Sequence, residues 1–297
     1  MHARVIYIAG SGRAGSTLLE RVLNASPTAF ALGEFHCLWR LPAERIVCAC
    51  GQPFVRCGFW TETMARSGLG EAGLARLRLL EAKVARSLFI ARRRFSLAAL
   101  RRDADVRDYL TLQQQVFDAV AQVTGARHLI DSSKAGPRAW LMGTEPNNLL
   151  LHLHRDAVDV IASWRQPKWD PSLNAPMHKP SVSAAAWDWI KAEAWAGALG
   201  RQRTVRRIDY ATLARAPQQA LRDALGSDAP SLIDSIPWLD ECRVPPAAEY
   251  HSLNGNPDRF SAGPITIAAR PTSLARLPAS DRWSVRLIGG LLDRVAP

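Results

Sequence analysis

The sequence lacks long hydrophobic segments and contains few cysteines. No apolar run approaches the ~18–20 residues that a membrane-spanning helix needs. The first apolar stretch, residues 5–9, is too short for the hydrophobic region of a secretory signal and runs directly into glycines. The five cysteines, an odd number, argue against a disulfide framework and for a reducing compartment. We therefore expect a cytoplasmic protein without a transmembrane segment.

Acidic residues are scarcer than basic ones. The chain has 27 Asp and Glu residues against 38 Lys and Arg, which gives a formal net charge of +11 at pH 7. Only five of the basic residues are lysine, and the rest are arginine, whose planar side chain suits phosphate and sulfate. This excess predicts attraction for many anions, from nucleic acid to a phosphorylated cofactor, so it identifies no partner by itself.

Alternating strand and helix patterns predict an α/β fold. The 297 residues are 47% hydrophobic and 22% charged, which is ordinary for a globular protein. Short apolar runs typical of buried parallel strands occur at 5–9, 128–131, 148–154 and 204–210. We expect a single three-layer α/β/α domain over residues 1–297, with a mainly parallel central sheet. Residues 65–123 are expected to form a helical insert, and residues 165–186 a lid loop.

A glycine-rich segment follows the first predicted strand. It reads Gly10-Ser-Gly-Arg-Ala-Gly15-Ser16-Thr17 and leads into a helical pattern over residues 16–23. Such a turn, followed by a helix N-terminus, is typical of a cradle for a phosphate-like anion. The segment fits the nucleotide-triphosphate loop at Gly10, Gly15 and Thr17, but Ser16 stands where that loop has lysine. The missing lysine weakens the prediction of an ATPase or kinase, and Arg13 supplies a cation within the loop instead.

Four segments between residues 4 and 260 resemble the motifs of one enzyme family, in the family's order. Residues 8–19 resemble the 5′-phosphosulfate loop of sulfotransferases that use 3′-phosphoadenosine 5′-phosphosulfate (PAPS). Residues 149–164 resemble the family's 3′-phosphate segment, a strand ending in Arg with a Ser eight residues on. Residues 208–217 are similar to its strand–helix segment, although Ala211 and Thr212 replace an acidic pair. Residues 251–260, which contain Gly-Asn-Pro-Asp-Arg-Phe, look like a segment of bacterial sulfotransferase-like proteins.

The resemblance implies a PAPS-dependent sulfotransferase with a P-loop-like fold that requires no metal and releases adenosine 3′,5′-bisphosphate. The acceptor would be a small molecule or a glycan, sulfated on a hydroxyl or an amine, and no nucleic-acid partner is expected. The position of Arg155 at a strand end and of Ser163 two helical turns later independently suits convergence on one phosphate. The cofactor-binding residues implied by the resemblance are Gly12, Arg13, Ala14, Gly15, Ser16, Thr17, Arg155, Ser163, Tyr210, Gly255, Asn256 and Arg259.

Glu34, Arg13 and Lys134 are the candidate catalytic residues. Protein-tyrosine and several carbohydrate sulfotransferases place a catalytic glutamate at the spacing that Glu34 has from the loop. Cytosolic members use a histidine after a later strand, and residues 131–134 contain none, which favours Glu34 as the general base, with the nearby His36 as the alternative. Lys134 resembles a family lysine that contacts the sulfuryl group or the substrate. Arg13 stands where cytosolic members have lysine, and as an arginine it stabilises charge without giving up its proton.

Several histidines and cysteines have structural interpretations. Cys48, Cys50 and Cys57 do not have a familiar zinc spacing, so we expect buried thiols or a disulfide-stapled loop in preference to a metal site. We expect His152 and His154 to face opposite sides of their strand and to act as core or supporting groups.

Two other functions remain as alternatives. One is a P-loop-type nucleotide kinase or NTPase, against which Ser16 counts. The other is a non-enzymatic binder of anionic polymer, for which the arginines between residues 92 and 102 are the best sequence support, although a solvated helix face is the favoured interpretation of that patch. No motif identifies the acceptor or the oligomeric state.

Overall fold

Five parallel strands form the central sheet. The computed structural model describes residues 3–268 and 273–295, so the ends of the predicted 1–297 domain lie outside the described residues. In chain order, the strands of the described residues, including those outside the central sheet, are β1 (Arg4–Gly10), β2 (Ala29–Gly33), β3 (His128–Lys134), β4 (Leu149–His154), β5 (Trp169–Asp170), β6 (Ala175–Pro176), β7 (Arg206–Asp209), β8 (Arg243–Val244) and β9 (Ile265–Thr266). The central sheet has the order β2-β3-β1-β4-β7, and all its neighbouring strands run parallel. The predicted α/β class with a mainly parallel sheet is therefore confirmed.

Helices make the connections between the strands. They are α1 (Ser16–Leu23), α2 (Cys37–Arg40), α3 (Gly58–Ser67), α4 (Gly70–Val84), α5 (Ser87–Arg92), α6 (Leu97–Arg102), α7 (Ala104–Thr124), α8 (Gly136–Met142), α9 (Ala157–Arg165), α10 (Val182–Gly200), α11 (Tyr210–Arg215), α12 (Pro217–Leu225), α13 (Ala229–Leu232) and α14 (Ala279–Val295). Helices α3 to α7 fill the connection between β2 and β3, which is where the helical insert was expected. Among the described residues, no helix is long and apolar enough to span a membrane.

Both faces of the sheet are covered by helices. Alternate residues of each strand point to opposite sides, so one strand can contribute to a core on each face. Val5 and Tyr7 of β1 belong to a core that includes residues of α3, α4, α7 and α8. Ile6 and Ile8 belong to a second core, which includes residues of α1, α12 and α13. These two cores make the three-layer arrangement. A third core joins α9, α10 and α14.

The two edge strands of the central sheet, β2 and β7, differ from the sequence patterns. β2 was not predicted as a strand, because Ala29-Phe-Ala-Leu-Gly33 contains no β-branched residue, yet all five residues are buried at the sheet edge. The strand predicted over 204–210 covers only residues 206–209, since the Asp209 carboxylate accepts from the backbone N–H groups of Ala211 and Thr212 and starts α11 at Tyr210. The region predicted as a lid begins at the end of α9, contains the β5–β6 hairpin and ends in the first turn of α10.

Candidate active site

The glycine-rich loop joins the carboxyl end of β1 to the N-terminus of α1. Gly10 has a φ of +143°, and a Cβ there would lie 2.5 Å from the carbonyl oxygen of Leu153 in β4. Gly15, with a φ of +111°, packs so closely on Tyr210 that a Cβ would lie 2.8 Å from the ring. Between them, Ala14 N–H donates to the Ser11 carbonyl at 3.3 Å and closes a turn. The loop therefore lies at the carboxyl edge of the sheet, where open α/β sheets bind ligands.

The start of α1 presents backbone donors next to this turn. Ser16 and Thr17 are its first two residues, and both are buried. The first N–H groups of a helix have no partner within the helix, and they lie at the positive end of its dipole. Together with the loop amides they suit an anionic group.

Arg13 lies in the turn with a left-handed φ of +71°. Its guanidinium carbon lies 4.8 Å from the centre of the Trp164 ring, which also packs against Gly12, and its Nη2 lies 3.2 Å from the Met177 sulfur. Burial lowers the pKa of Arg13, and the charge of Asp258 acts in the opposite direction. The Arg13 Nε–H has no hydrogen-bond partner among the described residues. An anionic ligand would provide one.

Arg155 follows β4 and contacts the same turn. Its Nη1 donates to the Arg13 carbonyl at 3.2 Å, its guanidinium lies 4.5 Å from the Tyr210 ring centre, and Asp159 is 3.5 Å from Nη2. As at Arg13, the buried Nε has no partner in the described part of the chain. Ser163 lies on α9, half-buried, two turns after Arg155. The loop, Arg155 and Tyr210 are thus in contact, as the sequence motifs require.

Glu34 follows β2 and is held by two donors. Lys134 Nζ donates to Oε1 at 2.5 Å, and Asn254 Nδ2 donates to Oε2 at 3.0 Å. Lys134 ends β3 with a left-handed φ of +64°, and its Nζ also donates to the Ser132 carbonyl at 3.1 Å. The Glu34 and Lys134 side chains are 19% and 18% exposed, so solvent or a ligand can reach the pair.

Residues 250–260, which we call the C-terminal segment, bring further side chains to Glu34. Leu253 forms a parallel bridge with Gly33 and accepts a hydrogen bond of 2.8 Å from the Glu34 N–H. Gly255 lies next to both α1 and the Glu34 carboxylate, because a Cβ there would be 3.6 Å from Thr17 Oγ1 and 3.8 Å from Glu34 Oε1. The segment therefore joins the anion-binding loop to Glu34.

The end of the C-terminal segment contacts the lid region. Arg259 is buried, donates from Nη1 to the Gly255 carbonyl at 2.9 Å, and has an Nε–H without a partner in the described structure. Burial lowers the pKa of Arg259. Asn256 Oδ1 accepts from Lys168 Nζ at 2.5 Å, and the same ammonium lies 2.7 Å from Asp258 Oδ1. Lys168 precedes β5, so it links the lid region to the C-terminal segment.

Sequence reasoning missed Asn254, Lys168 and Glu20. Asn254 falls at an unspecified position of the 251–260 motif, and Lys168 belongs to no motif. Glu20 lies inside α1, where its buried carboxylate accepts from Ser132, from Tyr250 at 2.7 Å and from Ser252 at 3.1 Å. Burial raises the pKa of Glu20, and these hydrogen bonds oppose the rise. Glu20 thereby anchors β3 and the C-terminal segment to α1.

His36, the less favoured candidate base, and Arg138 are both buried. Burial lowers the pKa of His36 well below its ordinary value. Arg138 is fully buried, with Nη2 2.8 Å from Asp131 Oδ2 and Nη1 bonded to the Tyr109 hydroxyl. The structure gives Arg138 a role in a core polar network.

The predicted orientation of His152 and His154 is wrong. Residues two apart on a strand share a face, and both rings bond Glu193 of α10, each at 3.1 Å.

In the arginine patch, Arg93 pairs with Asp103, and Arg101 Nε donates to the Thr144 carbonyl at 2.6 Å. These two arginines make contacts within the protein, whereas Arg92, Arg94 and Arg102 are exposed.

Comparison with known proteins gives one family. A model described as the sulfotransferase family matches residues 5–226, which include the loop, Glu34, Lys134, Arg155 and Ser163. No curated protein gives a match.

The solved structures that resemble this chain include bacterial sulfotransferases. The sulfotransferase domain of the Synechococcus PCC 7002 olefin synthase has 19% identity and a TM-score of 0.48, covering 100% of this chain and 97% of that one. The sulfotransferase domain from the curacin biosynthetic pathway has 17% identity and a TM-score of 0.48, covering 100% and 99%. A sulfotransferase from Mycobacterium avium has 13% identity and a TM-score of 0.42, covering 79% and 67%.

Proposed function

This chain belongs to the sulfotransferase family, and we propose that it transfers a sulfuryl group from PAPS to a hydroxyl or an amine of an acceptor. The observation that carries the proposal is the Glu34–Lys134 pair, which lies at the carboxyl ends of the parallel strands, as the glycine-rich loop does. A carboxylate that can accept a proton then lies beside groups that can bind a phosphosulfate.

The donor would bind along the loop and its two flanking arginines. Backbone N–H groups of residues 12–17 and the Arg13 guanidinium would hold the phosphosulfate. Arg155 and Ser163, with Arg259 from the C-terminal segment, would bind the 3′-phosphate. The three arginines support this role, because each is at least partly buried and each has an Nε–H that is unpaired within the described residues. Tyr210, Gly255 and Asn256 would complete the donor site.

The reaction needs one base and one in-line displacement. Glu34 would take the proton from the acceptor hydroxyl or amine, whose oxygen or nitrogen then forms a bond to sulfur. The bond from sulfur to the 5′-phosphate oxygen breaks, and adenosine 3′,5′-bisphosphate leaves with that electron pair. An ammonium has three donors, so Lys134 can donate to a sulfuryl oxygen when the donor binds. It would then give up its hydrogen bond to Glu34. That exchange would free the carboxylate as the base when the donor is in place.

The acceptor would be a small molecule or a glycan. Trp169 of β5 is 55% exposed in the lid region, and its ring offers an apolar surface for stacking on an aromatic ring or a sugar. We propose that the lid region contributes to the acceptor site.

Calorimetric titration with adenosine 3′,5′-bisphosphate tests the donor site. We expect the bisphosphate to bind more tightly than AMP, because AMP lacks the 3′-phosphate. We also expect Arg155→Ala to weaken bisphosphate binding at least tenfold. Arg215→Ala is the control, since Arg215 is exposed on α11. Unchanged affinity in Arg155→Ala would contradict the 3′-phosphate assignment. Tighter binding of magnesium ATP than of the bisphosphate would instead favour a kinase or NTPase.

Transfer of labelled sulfate from PAPS tests the base. Glu34→Gln should keep bisphosphate affinity within about twofold and lose at least about a hundredfold in turnover, which is typical for removal of a general base. Glu44→Gln is a matched control at an exposed position. A metabolite extract serves as the acceptor source, and mass spectrometry identifies the product. Full turnover in Glu34→Gln would rule out this residue as the base.

A further inference from the structure

Three cysteines and one histidine form a cluster apart from the PAPS site. Cys48, Cys50 and Cys57 come from the chain between α2 and α3, whereas His251 comes from the C-terminal segment. One ligand atom from each residue lies within 4.8 Å of all the others. The Cys48 and Cys57 sulfurs are each 3.4 Å from His251 Nδ1, and the Cys50 and Cys57 sulfurs are 3.7 Å apart.

These separations suit a single tetrahedral ion. Zinc binds sulfur at ~2.3 Å and imidazole nitrogen at ~2.0–2.1 Å, so tetrahedral angles place two sulfurs about 3.8 Å apart and a sulfur and a nitrogen about 3.5 Å apart. A disulfide requires sulfurs at about 2.05 Å, and all five cysteines of the chain are free thiols. We propose that Cys48, Cys50, Cys57 and His251 bind a structural zinc ion.

The chemistry of the cluster favours zinc over harder cations. Three sulfurs and one imidazole nitrogen make a soft ligand set, and the cluster contains no carboxylate that would suit magnesium or calcium. Four protein ligands also leave no open coordination position, which is the pattern of a structural site. The ion would have no part in sulfuryl transfer itself.

The surroundings fix the ligands in place. The His251 ring stacks on Phe59, with centres 4.7 Å apart and planes 10° apart, and its carbonyl accepts from Trp60 Nε1 at 2.8 Å. Backbone N–H groups donate to two of the sulfurs, from Cys50 to Cys48 and from Trp60 to Cys57. Such outer contacts orient metal ligands. Cys50 is exposed and borders a cavity of about 350 Å³, which provides an entry path for the ion.

The site would hold the C-terminal segment against the sheet. Leu253, two residues after His251, bridges to both Cys48 and Gly33, and Asn254 donates to Glu34. A bound ion would therefore fix the strand-like part of the segment from which Asn254 reaches the carboxylate. The ligands are hard to recognise in the sequence, because three lie within ten residues and the fourth is about 200 residues away.

Metal analysis of the full chain tests the site. The protein is purified without a metal-affinity column or chelator, and its zinc is measured by plasma mass spectrometry. We expect about one zinc per chain, and its loss in Cys57→Ser and in His251→Ala. Cys242→Ser should retain the zinc, because this cysteine lies outside the cluster.

Cobalt provides a measurement on the unmutated chain that does not depend on how the variants fold. Exchange of the metal for Co²⁺ should give intense visible absorption of a tetrahedral site and a sulfur-to-cobalt charge-transfer band. Wild-type protein without stoichiometric zinc and without this spectrum would overturn the proposal. So would a disulfide between Cys50 and Cys57, detected by mass spectrometry of the alkylated, unreduced protein.

Discussion

At the residue scale, Gly33 determines how closely the C-terminal segment approaches Glu34. Its φ is +71°, and a Cβ would lie 2.3 Å from both the Leu253 carbonyl oxygen and the Ser252 hydroxyl. A side chain at this position must displace the backbone that carries Asn254. The residue before the proposed base is therefore constrained both by its own conformation and by its neighbour.

We predict that Gly33→Ala lowers both stability and turnover. The left-handed backbone alone costs an alanine ~1–2 kcal/mol, and the contact with Leu253 adds to that cost. Displacement of the segment should also remove the Asn254–Glu34 hydrogen bond and reduce the rate of sulfate transfer. Urea unfolding and a PAPS turnover assay measure the two effects. Gly58→Ala is the control, because a Cβ at Gly58 meets no atom within 4 Å, and equal behaviour of the two variants would contradict the argument.

At the element scale, Glu193 ties α10 to β4. Burial would raise the pKa of Glu193, but hydrogen bonds from His152 and His154 outweigh it and lower the pKa from 4.5 to about 2. The helix that follows the lid region is thus attached to the strand that immediately precedes Arg155. Because both histidines face the same side of β4, a single carboxylate can accept from both rings.

This pairing predicts a specific loss of stability in acid. As the pH falls from 4.5 to about 2, the unfolded chain takes up a proton at Glu193 that the folded chain does not, so the free energy of unfolding decreases. Glu193→Gln removes that contribution and should show a shallower decrease between about pH 5 and pH 3 in urea unfolding. Glu71→Gln, an exposed change on α4, should retain the wild-type pH dependence. Parallel curves for wild type and Glu193→Gln would disprove this role.

At the scale of the whole molecule, the sequence predicts what is local and misses what is assembled from distant segments. The strand, loop and helix at 4–23 are readable because a glycine-rich turn must separate two apolar patterns. The strand at 29–33 is not, because its burial at the sheet edge comes from tertiary packing. Glu34 and Lys134 were identified singly, but their contact depends on β2 and β3 being neighbours in the sheet. Asn254 and the Cys48–His251 contact depend likewise on the return of the C-terminal segment.

Lys168 is another product of long-range assembly, because it joins the lid region to the C-terminal segment. Its ammonium bonds Asn256 and Asp258, and the Lys168 and Asp258 side chains are 29% and 38% exposed. Exposed ion pairs contribute up to about 1 kcal/mol, so we expect Lys168→Ala to weaken bisphosphate binding by no more than about fivefold. The loss should lie in faster dissociation, because the contact joins two segments around a bound ligand. Stopped-flow measurement of both rate constants tests this, with Lys179→Ala as an exposed control in the same lid region. A slower association rate with unchanged dissociation would indicate that Lys168 attracts the anion and does not retain it.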